Sequence, residues 1–237
     1  MNLRPGANDG ASSFAPLIGY IVAALSLLVM WVAAFAFPDT VVVALGIVSA
    51  IWLTGAMHED GWADFCDGFG GGWTRERTLE IMRDSRTGVY GIVGLLSVIG
   101  LKFLTLMALY SADEFGGWLF PLALLTGHSL SRFIAVSFMF SHDYASSAKP
   151  GRAQSMTRKM TVAELMFSGC VGLAPLALLT SVVSPLLVVA VIPLTFTRLY
   201  FGRMFSKRLA GYTGDCLGAV QSVTEVVIYL SLLGLLA

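Results

Sequence analysis

Residues 59–72, E-D-G-W-A-D-F-C-D-G-F-G-G-G, set one glutamate and three aspartates into an otherwise apolar chain. On a helix, Asp60, Asp64 and Asp67 stand at i, i+4 and i+7, so their carboxylates share one narrow stripe. Negative charges this close repel unless a cation neutralises them. A hard divalent ion suits the set. Mg2+ takes oxygen ligands, keeps some of its waters, and is commonly held by one or two carboxylates together with substrate phosphates. The stripe therefore predicts Mg2+ at Asp60, Asp64 and Asp67 and chemistry on phosphates at a membrane surface. A solvated acidic turn is the plain alternative. It leaves the spacing unexplained, and also the glycines Gly61, Gly68 and Gly70 to Gly72, which let a backbone approach a ligand closely.

The next segment, residues 75–91, reads R-E-R-T-L-E-I-M-R-D-S-R-T-G-V-Y-G. Leu79, Ile81 and Met82 are apolar while Glu76, Glu80, Arg83 and Asp84 are polar, which predicts a short cytoplasmic surface helix ahead of a span starting at Gly88. Arginine grips phosphate well, because its planar fork bonds two oxygens and stays charged. Arg83 and Arg86, flanking Asp84 and Ser85, are the phosphate-binding candidates. Arg75 and Arg77 serve equally well as ordinary positive charge beside a membrane.

These residues must be positioned by membrane helices. Of 237 residues, 56% are hydrophobic and only 13% charged, and the mean hydropathy is +0.77. A span needs about 20 predominantly apolar residues. That pattern recurs at roughly 14–36, 40–57, 88–110, 117–140, 162–180, 184–200 and 216–236, with the break at 181–185 separating two helices rather than kinking one. The prediction is an all-α polytopic membrane bundle of about seven transmembrane helices, forming one domain over 1–237.

Charge gives an independent check on topology, since basic residues collect on the cytoplasmic side. With seven spans, all of the fifteen basic residues except Lys102 and Arg132 fall on one side, while Asp39, Asp113 and Glu114 lie opposite. The N-terminus and acidic stripe are then cytoplasmic and the C-terminus outside. A six-span count moves the chain from Cys216 onward but leaves the stripe in place. The first apolar run is long and is expected to stay in the membrane. Cys66, Cys170 and Cys216 lack the spacing of a disulfide framework or a zinc site.

Several residues inside the spans carry charge. Arg132 lies about eight residues, hence about 12 Å, inside its helix, and is expected to face a cavity and bind phosphate. Lys102 sits nearer the outer end of its span and is expected to snorkel outward without a catalytic role. Glu225 should face the bundle interior. His58 could donate to a phosphate or cap a helix, and Asp215 could cap the last helix.

Residues 54–72, T-G-A-M-H-E-D-G-W-A-D-F-C-D-G-F-G-G-G, joined to the 75–91 segment, resemble the cobalamin 5'-phosphate synthase family, also called adenosylcobinamide-GDP ribazoletransferase. The likeness continues in H-S-L-S-R at 128–132, A-K-P at 148–150 and T-G-D-C-L-G-A at 213–219. It implies a multi-pass enzyme of the cell inner membrane with its active site on the cytoplasmic side, acting on adenosylcobinamide-GDP and alpha-ribazole or its 5'-phosphate. A ribose hydroxyl would attack the diphosphate with Mg2+ assistance, and GMP would leave. Glu59 or one of the aspartates Asp60, Asp64 and Asp67 would take the hydroxyl proton. Arg83, Asp84, Arg86, Arg132, Lys149 and Asp215 would bind substrate, Asp215 toward the nucleotide or base. The lipid bilayer is an expected partner and nucleic acid is not. Self-association, or association with other enzymes of cobamide assembly, is left open.

Two other readings compete. A CDP-alcohol phosphotransferase carries D-x-x-D-G-x-x-A-R, which D-F-C-D-G at 64–68 begins to imitate, but Gly71 and Gly72 stand where Ala-Arg is needed. A transporter would bring charges near the bilayer midplane and often repeated halves. The acidic cluster here lies at a helix end, and no repeat is visible.

Overall fold

A computed structural model describes residues 10–112, 117–145 and 158–236. Lys149 and the A-K-P segment lie outside the described residues, as do Arg4, Asp113, Glu114 and Arg152. The described chain is predominantly helical, and its one isolated bridge joins Tyr144 and Tyr212. In order, the helices are α1 (Ala15–Ala33), α2 (Asp39–Leu53), α3 (Met57–Gly71), α4 (Arg75–Ile81), α5 (Val89–Ser111), α6 (Leu119–Val136), α7 (Phe138–Ser141), α8 (Val162–Val182), α9 (Val191–Leu209) and α10 (Gly214–Leu236). Six stretches are long and apolar enough to cross a membrane, and the pair α2 and α3 would make a seventh.

That pair departs from the expected span at 40–57. Helix α2 has only 15 residues, about 22 Å at helical rise and short of a hydrocarbon core. Gly55 and Ala56 both take left-handed backbone, with φ of 63° and 56°, which no L-residue helix continues through. The axis turns by 84°. A Cβ on Gly55 would meet nothing within 4 Å, so glycine is suited there by its backbone freedom, not by crowding. Helix α3 then runs back along α5: its Glu59 faces Lys102 deep in α5, and its Asp67 meets the first turn of α5. The acidic residues thus lie on a helix, as the i, i+4, i+7 spacing predicts, and that helix is the second half of a bent pair.

The break near 181–185 does separate two helices. Ser184 accepts the Leu186 N–H, and the 3-10 turn Pro185–Ala190 leads into α9. The expected surface helix is α4, capped by Thr74, whose hydroxyl accepts the Arg77 N–H at 3.2 Å. Leu79 and Met82 turn inward and are buried. Helix α8 opens on a capping box between Thr161 and Glu164.

Helix α6 is the central post, packed by α1, α8 and α10, while α10 also packs against α3 and α5. Its burial explains its polar content. His128, Ser129, Ser131 and Arg132 all face protein, whereas the outer helices present Leu96, Leu104, Ile192 and Phe196 to the surroundings. In a bilayer that outward apolar surface is solvated by lipid, so polar side chains collect where protein can satisfy them.

Candidate active site

The acidic stripe is positioned by a contact between two glycines. A Cβ on Gly61 would lie 3.0 Å from both the Cα and the carbonyl oxygen of Asp215, and one on Gly218 would lie 3.4 Å from Gly61 Cα. Helices α3 and α10 therefore meet backbone to backbone, which only glycine permits at this separation. The crossing carries Asp215 to the stripe. Asp60, Asp67 and Asp215 are near enough for their charges to act on Asp64, and Asp60 and Arg83 are near enough to act on Asp215. The hydroxyl of Thr213 accepts the Cys216 N–H at 3.2 Å. Asp215 is thus a first-turn residue of α10, and Thr213 supplies the cap expected of it.

Asp67 shares the stripe but has its own partners. Its Oδ2 accepts the Gly88 N–H at 2.6 Å and its Oδ1 accepts the Gly91 N–H at 2.9 Å. These are open amides of the first turn of α5, so Asp67 caps that helix from another element. A Cβ on Gly88 or Gly91 would come within 2.6 Å or 2.5 Å of the carboxylate. The G-V-Y-G run at 88–91 is explained as the seat of Asp67.

Glu59 is turned away from the stripe. Its Oε1 lies 3.7 Å from Lys102 Nζ, and its Oε2 is buried without a hydrogen-bond partner among the described residues. Lys102 does not snorkel outward as its sequence position suggested. It is 6% exposed, and its Nζ also lies 3.4 Å from Glu225 Oε2. Two inward-facing carboxylates outweigh the reach to the interface, because a buried charge needs a partner more than it needs water at a distance. Glu225 faces the interior as expected, where Gln221 and Tyr229 donate to it at 2.9 and 3.1 Å. The sequence carries a signal for this pairing: opposite charges in the middle of two separate spans imply a pair.

The arginines divide. Arg83 is exposed beside Asp215. Arg86 forks onto Asp84, with Nη2 to Oδ2 at 2.6 Å and Nε to Oδ1 at 3.0 Å, and these bonds hold the Asp84 carboxyl down to about 2. Those two are therefore paired with each other. Arg75 Nε donates to the Leu209 carbonyl at 2.8 Å, and Arg208 donates to the Gly72 carbonyl, so these cations tie α4 and the glycine-rich end of α3 to α9. Arg77 pairs with Glu80 on the surface. Arg132 is buried, its Nη1 donating to the His128 carbonyl at 2.7 Å, and it lines a cavity shared with His58 and Gln221.

The donor set around Asp64 is all oxygen, the chemistry that Mg2+ favours. Among the described residues no three His, Cys, Asp or Glu side chains form a ready-made metal cluster. The arrangement fits an ion that takes one or two carboxylates and completes its shell with water and phosphate oxygens.

The family model for cobalamin-5-phosphate synthase matches residues 3–233. Relatives named adenosylcobinamide-GDP ribazoletransferase include that of Shewanella amazonensis, 40% identical over 94% of this chain and 84% of its own. That of Leptothrix cholodnii is 39% identical over 91% and 81%, and that of Ralstonia pickettii 38% identical over 97% and 86%. No solved structure matches. With a match of this extent laid over the acidic stripe, the arginine segment and the α3–α10 crossing, the chain belongs to the cobalamin-5-phosphate synthase family.

Proposed function

We propose that the chain joins adenosylcobinamide-GDP to alpha-ribazole, or to its 5'-phosphate, giving adenosylcobalamin or its 5'-phosphate and GMP. The names of the relatives support the substrates. The observation that carries the chemistry is the convergence of Asp60, Asp64 and Asp215 where α3 crosses α10. A ribose hydroxyl oxygen attacks the cobinamide-linked phosphorus, the bond from that phosphorus to the bridging oxygen breaks, and GMP departs. The hydroxyl proton passes to one of the stripe aspartates, since Glu59 is sealed against Lys102. One or two of Asp60, Asp64 and Asp215 would hold Mg2+, which when bound would supply charge neutralisation for the diphosphate and the leaving phosphate. Arg83, exposed and near enough for its charge to act on Asp215, would take a phosphate oxygen. Asp67 fixes the stripe by capping α5, which keeps reacting groups in line.

The active site belongs to the cytoplasmic face of the cell inner membrane in this reading, because the basic connections flank it. Counting α2 and α3 as one bent crossing gives seven spans and preserves that orientation. The test is direct. Purified protein in liposomes, given adenosylcobinamide-GDP, alpha-ribazole and Mg2+, should release GMP, and Asp64→Asn should remove turnover while membrane insertion persists. Absence of GMP from wild-type protein with both substrates present would overturn the assignment.

A further inference from the structure

Between α1, the bend joining α2 to α3, the cytoplasmic half of α6 and the start of α10 lies a cavity of about 500 Å³. That is within the roughly 300–1,000 Å³ of small-ligand sites. Its walls are mainly apolar, including Ile18, Val22, Leu53, Val136 and Leu217. Arg132, which lines it, is 5% exposed. The guanidinium bonds the described chain only through Nη1, to the His128 carbonyl and, at 3.4 Å, to the His128 ring. Nε and Nη2 make no bond to the described residues and are not among its sealed, unpartnered atoms. A buried cation with donors to spare in an apolar chamber selects a ligand that is mostly apolar yet offers an acceptor.

The cavity also abuts the acidic stripe. Gly214, which lines it, precedes Asp215, and Met57, which lines it, is one turn of α3 before Asp60. A ligand filling the chamber therefore ends beside the carboxylates. Resting on the transferase reading above, the two substrates can be told apart by chemistry. A corrin macrocycle bearing a nucleoside diphosphate is too large for this volume, and guanine would bury several polar edges against apolar walls. A nucleoside with an apolar fused aromatic base has the matching character: ring bulk for the walls, one unprotonated ring nitrogen as acceptor, and a ribose to reach the stripe.

We propose that this cavity is the binding site for the aromatic base of the nucleoside acceptor, with Arg132 donating to the ring nitrogen and the ribose hydroxyls directed toward Asp60 and Asp215.

The experiment fills the chamber. Leu217→Trp and Val136→Trp, with the milder Leu217→Phe in case either fails to fold, are purified in detergent and checked for unchanged thermal unfolding. Alpha-ribazole binding to each protein is measured by calorimetry without the corrinoid, and KM is measured for both substrates. The expected result is an increase of about tenfold or more in the nucleoside Kd and KM, equivalent to about 1.4 kcal/mol, with the adenosylcobinamide-GDP KM within about twofold of wild type. A folded variant that binds alpha-ribazole like wild type overturns the proposal. So does a rise confined to the corrinoid KM, or a phospholipid in the chamber that alpha-ribazole does not displace. Failure of wild-type protein to release GMP would count against the transferase reading instead, because the binding titration reads the cavity without turnover.

Discussion

Lys102 Nζ sits 3.4 Å from Glu225 Oε2, joining α5 to α10 inside the bundle. The same ammonium reaches Glu59 of α3 at 3.7 Å, so one cation holds together three helices, two of which carry the candidate active site. Removing one partner of a buried pair leaves an uncompensated charge and costs about 3–5 kcal/mol, whereas replacing the whole set by apolar groups can be near neutral. Lys102→Met should accordingly lower the thermal midpoint in detergent markedly. Adding Glu59→Gln to it, which leaves Glu225 to balance the buried Arg132, should recover much of the loss. A Lys102→Met protein as stable as wild type would show that the three helices do not depend on this cation.

Asp67 and Asp64 occupy the same stripe and should fail differently. Asp67 accepts two backbone N–H groups of α5, and loss of a capping acceptor costs about 0.5–2 kcal/mol. Asp67→Ala should reduce stability by that order and speed hydrogen exchange at Gly88 and Gly91. Asp64 makes no hydrogen bond within the described chain and is repelled by Asp60, Asp215 and Asp67, so Asp64→Asn should leave exchange at Gly88 and Gly91 unchanged and should not lower the unfolding midpoint, while removing turnover. Equal exchange at Gly88 and Gly91 in wild type and Asp67→Ala would remove the capping role.

Much of this architecture is legible in the sequence for physical reasons. Apolar runs longer than a hydrocarbon core mark spans by length alone, and the carboxylate spacing at 60, 64 and 67 marks a helical face. The bend after α2 was harder to see. It depends on left-handed backbone at Gly55 and Ala56, and alanine gives no warning of that state. For Lys102 the distance to the interface favours snorkelling, but Glu59 and Glu225 across the helix boundaries decide its direction. The partnership of Asp215 with the stripe depends on a contact 154 positions away in sequence, between Gly61 and the start of α10. No local pattern encodes such a contact.

That contact supplies the sharpest mutational test of the site. A methyl at Gly61 would press on the Asp215 Cα and carbonyl oxygen at 3.0 Å, and backbone cannot swing aside as a flexible side chain can. Gly61→Ala should therefore push the start of α10 off α3 and separate Asp215 from Asp60 and Asp64. Gly100→Ala is the matched control. It lies in α5 with nothing within 4 Å of the added Cβ, and exchanging a helical glycine for alanine stabilises by about 1 kcal/mol. Both proteins should insert, but Gly61→Ala should lower kcat and raise the Mg2+ concentration needed for half-maximal GMP release by about tenfold or more, the scale of about 1.4 kcal/mol. Gly100→Ala should match wild type in both. If Gly61→Ala keeps wild-type kcat and Mg2+ dependence, the carboxylates of the two helices do not act as one site.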